Sequence, residues 1–243
     1  MAPAGYGSRV EGVHAVAAAF RAGRINTLHV ERSRRDRPGI AELVDGLPAH
    51  SVVLVDDVRT IAQSEAPQGV VADCSPIAPV DLDSLATNRA ALLVLDHIED
   101  PQNVGAIARS AVAAGVTGMV VSFRRAAPLS AVAFKAAVGA LEVLPVAVVG
   151  SIPEALSRLK NAGIWIVGLD AAGDQSLFGL QLLTEPVAVV VGAEGSGLAQ
   201  LTAKRCDLIA SIPMSNETES LNASVSGALA AFEIMRIRAS SPG

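Results

Sequence analysis

Three segments of the chain concentrate Gly, Asn, Ser and charged residues, which are the residue types that bind polar ligands. They are residues 96–111 (DHIEDPQNVGAIARSA), 192–198 (GAEGSGL) and 212–224 (IPMSNETESLNAS). Arg109 interrupts an otherwise apolar helical stretch, and a guanidinium placed there needs an anionic partner. Glu194, a carboxylate between glycines, needs a cation or a hydrogen-bond donor. We therefore predict that Arg109 and Glu194 pair in a ligand site.

Each segment taken alone is open to a plainer interpretation. The glycines of residues 192–198 could serve only as turn residues. The chain has neither a GxGxxG fingerprint nor a phosphate-binding P-loop, which argues against a nicotinamide-dependent dehydrogenase. Cys74 and Cys206 have no metal-ligand spacing and are interpreted as buried small hydrophobes. The four histidines are not spaced as metal ligands either, so no metal is expected.

The elements that must position these segments are strands of continuous Val, Ile and Leu separated by helices. Such runs are typical of a parallel sheet covered on both faces, here a doubly wound α/β domain. Ligands of these sheets bind at the carboxyl ends of the strands, where the three segments lie. The predicted strands are AALLVLD, GMVVSF, VLPVAVV, IWIVGLD, VAVVVG and LIASIP. The predicted helices cover residues 103–114, 129–138, the segment IPEALSRLKNAG, residues 198–205 and a final helix ending at Arg238.

A smaller α/β unit precedes this domain. Its predicted helices cover residues 13–20 and 40–47, and its predicted strands cover residues 27–30, the segment SVVLVDD and the segment GVVADCSP. Residues 76–89 contain Pro and Asp and lack periodicity, which favours a linker. The predicted domains are therefore residues 1–75 and 90–243, joined by the linker 76–89.

Composition and charge limit the class of protein. The chain has 243 residues, of which 51% are hydrophobic and 18% charged, as in a folded globular protein. No apolar run is long enough for a membrane span and no secretory leader is recognisable, so we expect a cytoplasmic protein without membrane contact. The net charge of −5 argues against a nucleic-acid ligand. A local strip of six arginines could nevertheless attract RNA, or could be only a solvated loop; its members are Arg21, Arg24, Arg32, Arg34, Arg35 and Arg37.

Taken together, the three segments resemble the SpoU family of RNA 2'-O-ribose methyltransferases. The similarity lies in LDHIEDPQNVGAIARSAVAAGV, VVVGAEGSGL and IPMSNETESLNASVSGALAAFE, in the order of the family's motifs. The segments VEGVHAVAAAF and PQGVVAD resemble the ribosomal-protein-like substrate-binding domain of the bacterial 23S rRNA guanosine-2'-O-methyltransferase branch. The resemblance implies a trefoil-knotted, SPOUT-type parallel-sheet domain with a smaller N-terminal α/β substrate-binding domain. It also implies S-adenosylmethionine as cofactor, rRNA as substrate, and a homodimer with its active site near the subunit interface.

Carried onto this sequence, the family's motifs assign individual residues. The implied catalytic residues are Asn103, Arg109, Glu194, Ser220 and Asn222, and the implied cofactor-binding residues are Gly192, Ile212, Met214 and Leu221. Ser220 and Asn222 would face the reacting ribose, which leaves Ser224 and Ser226 to packing. The family proposal makes Arg109 a general base, but a guanidinium scarcely deprotonates, so a grip on the adjacent phosphate is the alternative.

Several other functions stay open. The RNA could be a tRNA, or an rRNA site tied to antibiotic resistance, although the separate N-terminal unit favours rRNA. A different class of function is a ribosome assembly factor that binds RNA without catalysis. The complete set of implied catalytic residues argues against that alternative.

Overall fold

The computed structural model describes residues 5–124, 126–215 and 220–240. The first unit is a four-stranded sheet of order β1-β4-β2-β3, in which β4 runs antiparallel to β1 and β2 while β2 and β3 are parallel. Its elements are β1 (Arg9–Glu11), α1 (Val13–Arg21), β2 (Ile25–Glu31), α2 (Ile40–Asp45), β3 (Val52–Val55) and β4 (Val70–Cys74). The predicted helices and strands of this unit are confirmed, and the short strand β1 is an addition.

The second unit is a seven-stranded sheet in which every neighbouring pair of strands is parallel. Its strands are β5 (Ala91–Asp96), β6 (Gly118–Ser122), β7 (Val146–Val149), β8 (Trp165–Leu169), β9 (Gln175–Ser176), β10 (Val187–Gly192) and β11 (Leu208–Ser211). The strands β5, β6 and β10 are buried almost throughout, which explains why they are continuous Val, Ile and Leu runs. The predicted parallel α/β domain is confirmed.

Five helices cover this sheet: α3 (Pro101–Ala113), α4 (Ala131–Ala137), α5 (Ile152–Asn161), α6 (Gln200–Ala203) and α7 (Ala223–Ser240). The helix α3 begins where Asp100 accepts a hydrogen bond from the Gln102 amide at 2.8 Å and Pro101 occupies the first turn. A Cβ on Gly105 would lie 2.3 Å from the carbonyl oxygen of Ala133, so α3 and α4 approach backbone to backbone. No helix among the described residues is both long and apolar enough to cross a membrane.

The strand order places the three polar segments at one edge. The sheet runs β7-β6-β5-β10-β8-β11-β9, so β10 enters late in the chain and lies between β5 and β8. Because all strands are parallel, the segments that follow β5, β8, β10 and β11 leave from the same edge of the sheet. A change of strand order beside the central strand makes a crevice at that edge, where α/β proteins bind ligands.

The two units pack against each other over a shared core. One hydrophobic cluster includes residues of both sheets, among them Tyr6, Val10 and Phe134. The segment predicted as a linker is also packed, since Leu82 and Leu85 are buried and the Val80 amide donates to the Val146 carbonyl at 3.0 Å. Along the chain, the last strand of the first sheet ends before this segment and the first strand of the second sheet begins after it. The domain limits at 76–89 stay a prediction.

Both cysteines are unreactive thiols. Cys74 is buried and Cys206 is half-buried. Burial raises the pKa of the Cys74 thiol to about 11 and that of the Cys206 thiol to about 12. Neither is a reactive thiolate at neutral pH, in agreement with the interpretation from sequence.

Candidate functional site

A closed network of hydrogen bonds joins the three polar segments. Asn103 on α3 donates from Nδ2 to Oε1 of Glu194 at 2.8 Å, and its Oδ1 accepts from Nδ2 of Asn222 at 3.1 Å. Asn222 also donates to Oε1 of Glu194, as does the backbone amide of Ala223 at 3.4 Å. Asn103 is thus fixed against Glu194, which lies 91 positions further along the chain, and against Asn222, which lies 119 positions further.

Asn222 makes two sets of hydrogen bonds, which account for a polar residue at the start of α7. Its Oδ1 accepts from the amides of Ser224 at 2.8 Å and Val225 at 3.3 Å, and so caps the helix. Its Nδ2 makes the bonds to Asn103 and Glu194. The helix cap therefore sets the orientation of the carboxamide within the network. Residues 216–219 of the third motif lie outside the described residues.

Within one chain the structure does not pair Arg109 with Glu194, and the predicted pairing stays a prediction. Glu194 is held by carboxamides, and Arg109 is exposed on α3 without an ion pair or hydrogen bond to any of the residues the structure describes. The helical geometry explains why. Arg109 follows Asn103 by six residues, which is about 240° of rotation, so the two side chains leave α3 on different faces. Oε2 of Glu194 likewise has no hydrogen-bond partner among the described residues.

A cavity of about 280 Å³ opens beside this network, at the carboxyl ends of β8, β10 and β11. Its lining includes Gly192, Ile212, Met214 and Leu221, the four residues implied to bind the cofactor, and also Ser220. Two further lining residues were not predicted: Asp170, directly after β8, and Ser226, which had been assigned to packing. Asp170 could have been suspected, because it too follows a parallel strand at its carboxyl end.

The glycines of residues 192–198 are needed for the shape of this cavity. A Cβ on Gly192 would lie 2.4 Å from the backbone of Gly197, so a side chain there would collide with main chain. Gly195 and Gly197 have φ values of +77° and +63°, which favour glycine. The loop closes on itself through hydrogen bonds between Ala193 and Gly197 in both directions, at 3.0 and 3.2 Å. It therefore presents backbone, rather than side chains, to a ligand.

A second cavity of about 520 Å³ adjoins the first and shares Ala193, Ser196, Gly197 and Ala223 with it. The polar network forms part of its wall through Asn103 and Glu194. The remaining lining comes from the segment after β5, including His97, Glu99 and Asp100. Two adjoining cavities at this end of the sheet can hold two ligands side by side.

The arginine strip of the first unit is largely occupied by contacts within the protein. Arg32 pairs with Asp56 at 3.3 Å, Arg35 with Asp36 at 2.9 Å, and Arg34 with Glu31 at 3.4 Å. These pairs are at least partly exposed, so the guanidinium groups can still exchange partners. Arg21 and Arg37 are exposed and have no ion pair to the described residues.

Arg24 requires a correction, because it is an internal residue. Its guanidinium donates to both carboxylate oxygens of Glu142, at 2.6 and 2.7 Å, and to the carbonyls of Gly7 and Ser75. Only 12% of the Arg24 side chain and 3% of the Glu142 side chain are exposed. Arg24 therefore joins the two units and is not available to RNA.

One surface of α3 and α7 is apolar and exposed. It presents Val112, Val225, Phe232 and Met235, and Arg109 lies one turn before Val112 on the same side of α3. Gly227 lies on the buried side of α7 and packs against α3, since a Cβ there would lie 3.0 Å from Ile107. Several exposed large apolar side chains on two packed helices are a feature of protein interfaces.

Comparisons with known proteins agree with this geometry. The family model described as the SpoU rRNA Methylase family matches residues 90–232. The chain is 35% identical over 239 residues to the 23S rRNA (guanosine-2'-O-)-methyltransferase RlmB of Coxiella burnetii, covering 94% of this chain and 95% of that protein. Its structure is similar to that of the SpoU methyltransferase AviRb from Streptomyces viridochromogenes in complex with AdoMet, with a TM-score of 0.81 and 28% identity over 96% of this chain and 91% of AviRb.

Some relatives are longer. An uncharacterized tRNA/rRNA methyltransferase of Synechocystis sp. is 37% identical over 238 residues, which cover 93% of this chain and 62% of that protein. The chain thus spans less than two thirds of this relative, and nearly all of the Coxiella protein.

Proposed function

Because this chain belongs to the SpoU rRNA methylase family, we propose that it transfers a methyl group from S-adenosylmethionine to a ribose 2'-hydroxyl of RNA. The network of Asn103, Glu194 and Asn222 between two adjoining cavities carries this proposal. The expected target is a guanosine of 23S rRNA, since the relative with that activity in its name matches this chain over almost its full length.

The smaller cavity suits the cofactor. Ile212, Met214 and Leu221 provide apolar surface for a purine, and the backbone of the 192–198 loop provides hydrogen-bonding groups. Asp170 adds a carboxylate for the cationic groups of the cofactor. When bound, S-adenosylmethionine supplies an electrophilic methyl group. The trefoil knot implied by the resemblance would bring the segments after β10 and β11 together around this cavity, whose lining contains residues of both.

The larger cavity would receive the ribose and its neighbouring phosphate. Asn103 and Asn222 fix Oε1 of Glu194, which leaves Oε2 available to a further donor such as a guanidinium. Ser220, on the wall of the smaller cavity, would contact the substrate from the other side. Holding the hydroxyl in line with the methyl group is the main contribution expected of these residues.

We include a homodimer in this proposal, in which the apolar surface of α3 and α7 is covered by a second copy. Such a contact would bury Val225, Phe232 and Met235, which are now exposed. It would also let Arg109 of one protomer reach the active site of its partner, where it could bind the phosphate and complete the environment of Glu194. This explains why the guanidinium has no partner among the described residues of its own chain.

The first unit would dock the RNA, in the cytoplasm. Arg21 and Arg37 are its free cations among the described residues, and Arg32 and Arg35 can exchange their exposed carboxylate partners for phosphate. The net charge of −5 leaves these arginines as the main local attraction for a polyanion.

The test is to incubate the protein with labelled S-adenosylmethionine and total RNA from a strain lacking the corresponding gene, and to map ribose methylation. We expect label at one guanosine of 23S rRNA, and none with the matched variant Glu194→Ala. Label confined to a tRNA would overturn the rRNA assignment. Absence of label with every RNA would favour the non-catalytic assembly factor.

A further inference from the structure

The residue after β5 has an unusual backbone conformation. His97 has φ of +59°, a left-handed value that residues other than glycine rarely adopt. Its ring is held in place, since Nδ1 lies 2.7 Å from Oδ1 of Asp96. Non-glycine residues held in this region cluster at sites where their position matters.

Asp96 is suited to orient this ring. Its side chain is fully buried, and its second oxygen, Oδ2, accepts the backbone amide of Ala199 at 2.9 Å. Because carboxylate oxygens accept hydrogen bonds, we assign the imidazole hydrogen to Nδ1, which leaves the lone pair of the ring on Nε2. The ring is 39% exposed and lines the larger cavity together with Asn103 and Glu194.

The other charged groups of this cavity are poor proton acceptors. Asp100 caps α3, and Oε1 of Glu194 accepts from Asn103 and Asn222, while its Oε2 is assigned above to a guanidinium. Glu99 is exposed to solvent. Arg109 cannot take up a proton, because its guanidinium is already protonated. His97, whose Nδ1 is held by a buried carboxylate, is the residue of this cavity with a free ring nitrogen that can accept a proton.

We propose that His97 accepts the proton of the ribose 2'-hydroxyl, with Asp96 as the residue that positions its ring. The O–H bond would break as Nε2 binds the proton, and the oxygen would use the freed electron pair for its new bond to the methyl carbon. The bond from that carbon to the sulfonium of S-adenosylmethionine would break at the same time, its electron pair staying on sulfur, so that S-adenosylhomocysteine leaves. The resulting imidazolium is stabilised by Asp96 and then releases its proton to water. This role rests on the proposed function, since it requires an RNA ribose in the larger cavity.

The test compares the wild type with His97→Asn. Asparagine tolerates positive φ and can donate to Asp96, but it has no titratable nitrogen. We expect the single-turnover rate to fall by about 10²–10⁴-fold, with the dissociation constants of RNA and S-adenosylhomocysteine unchanged within about twofold. The pH–rate profile of the wild type should contain an inflection that the variant lacks. His50→Asn, in an exposed position of the first unit, is the matched control and should keep both rate and profile.

The role of His97 and the proposed function are refuted by different results. An active wild type together with a His97→Asn variant that keeps its rate within about threefold, or keeps the inflection, removes His97 from the proton transfer. Nitrogen NMR of the labelled histidines, which needs no activity, should find the Nδ1–H tautomer at His97; the Nε2–H tautomer would refute the assignment. Absence of ribose methylation by the wild type with every RNA would instead overturn the proposed function.

Discussion

Replacing Arg24 by methionine should destabilise the whole chain, although Arg24 lies far from the site in sequence and belongs to a run of surface arginines. The variant keeps much of the apolar stem but removes the charge that faces Glu142. Because only 3% of the Glu142 side chain is exposed, its carboxylate would be left buried without a counter-charge. Breaking a buried ion pair in this way costs about 3–5 kcal/mol of unfolding free energy.

The double variant Arg24→Met/Glu142→Leu separates this cost from loss of packing. With both charges gone no uncompensated carboxylate remains, and a buried apolar pair is often as stable as the ion pair that it replaces. We therefore expect the double variant to recover most of the loss, with a coupling energy of about 3 kcal/mol between the two positions. Arg21→Met, at the exposed end of α1, is the matched control and should change stability by less than about 0.5 kcal/mol.

The assay is urea unfolding followed by circular dichroism, supported by thermal melting. A loss of 3–5 kcal/mol corresponds to a fall in Tm of roughly 6–20 °C for a chain of this size. Since one hydrophobic cluster includes residues of both units, we expect a single transition in every variant. A loss below about 1 kcal/mol for Arg24→Met, or a double variant no more stable than the single one, would refute the reasoning.

Three further predictions concern the site and its supports. Arg109→Lys keeps the charge but loses the planar fork, so kcat should fall at least about 10²-fold while S-adenosylhomocysteine affinity holds; full turnover would exclude Arg109 from the reaction. Asp170→Asn should weaken S-adenosylmethionine binding by about tenfold in calorimetry, and unchanged affinity would show that the carboxylate does not contact the cofactor. Hydrogen bonds from Arg236 hold the pKa of Glu233 below its ordinary value of 4.5, so the stability that it contributes is present above pH 4.5 and is lost as pH falls through its folded-state pKa. Urea unfolding between pH 6 and pH 3 should therefore find a steeper loss for the wild type than for Glu233→Gln, and parallel curves would contradict this.

Much of the fold could be predicted because the pattern of the second unit is strong. Continuous apolar strands such as β5 and β10 must be buried on both faces, which the middle of a parallel sheet provides. Their lengths were predicted within a residue or two. The strands β1 and β9 escaped prediction because they have three and two residues and carry polar side chains. Their pairing is decided by neighbours distant in sequence, which no local pattern contains.

The site was predictable in its residue types, and less so in its pairings. The motif residues Asn103, Glu194 and Asn222 do meet, but within one chain Arg109 does not reach Glu194, because the rotation of α3 places it on another face of the helix than Asn103. The sequence also could not distinguish the buried Arg24 from the exposed arginines of the same strip, because all of them carry the same charge. The distinguishing feature of Arg24 is a buried carboxylate 118 positions away, which only the folded chain brings near.

The late insertion of β10 has a consequence for how the chain is made on the ribosome. The strand β5 ends at residue 96, but the strand that pairs with its free edge begins at residue 187. At ordinary translation speeds these about 90 residues take roughly 5–20 s to synthesise. Throughout that interval an apolar edge of the nascent protein is open to wrong partners. We expect chaperone demand in the cell to be greatest while this gap in the sheet is unfilled.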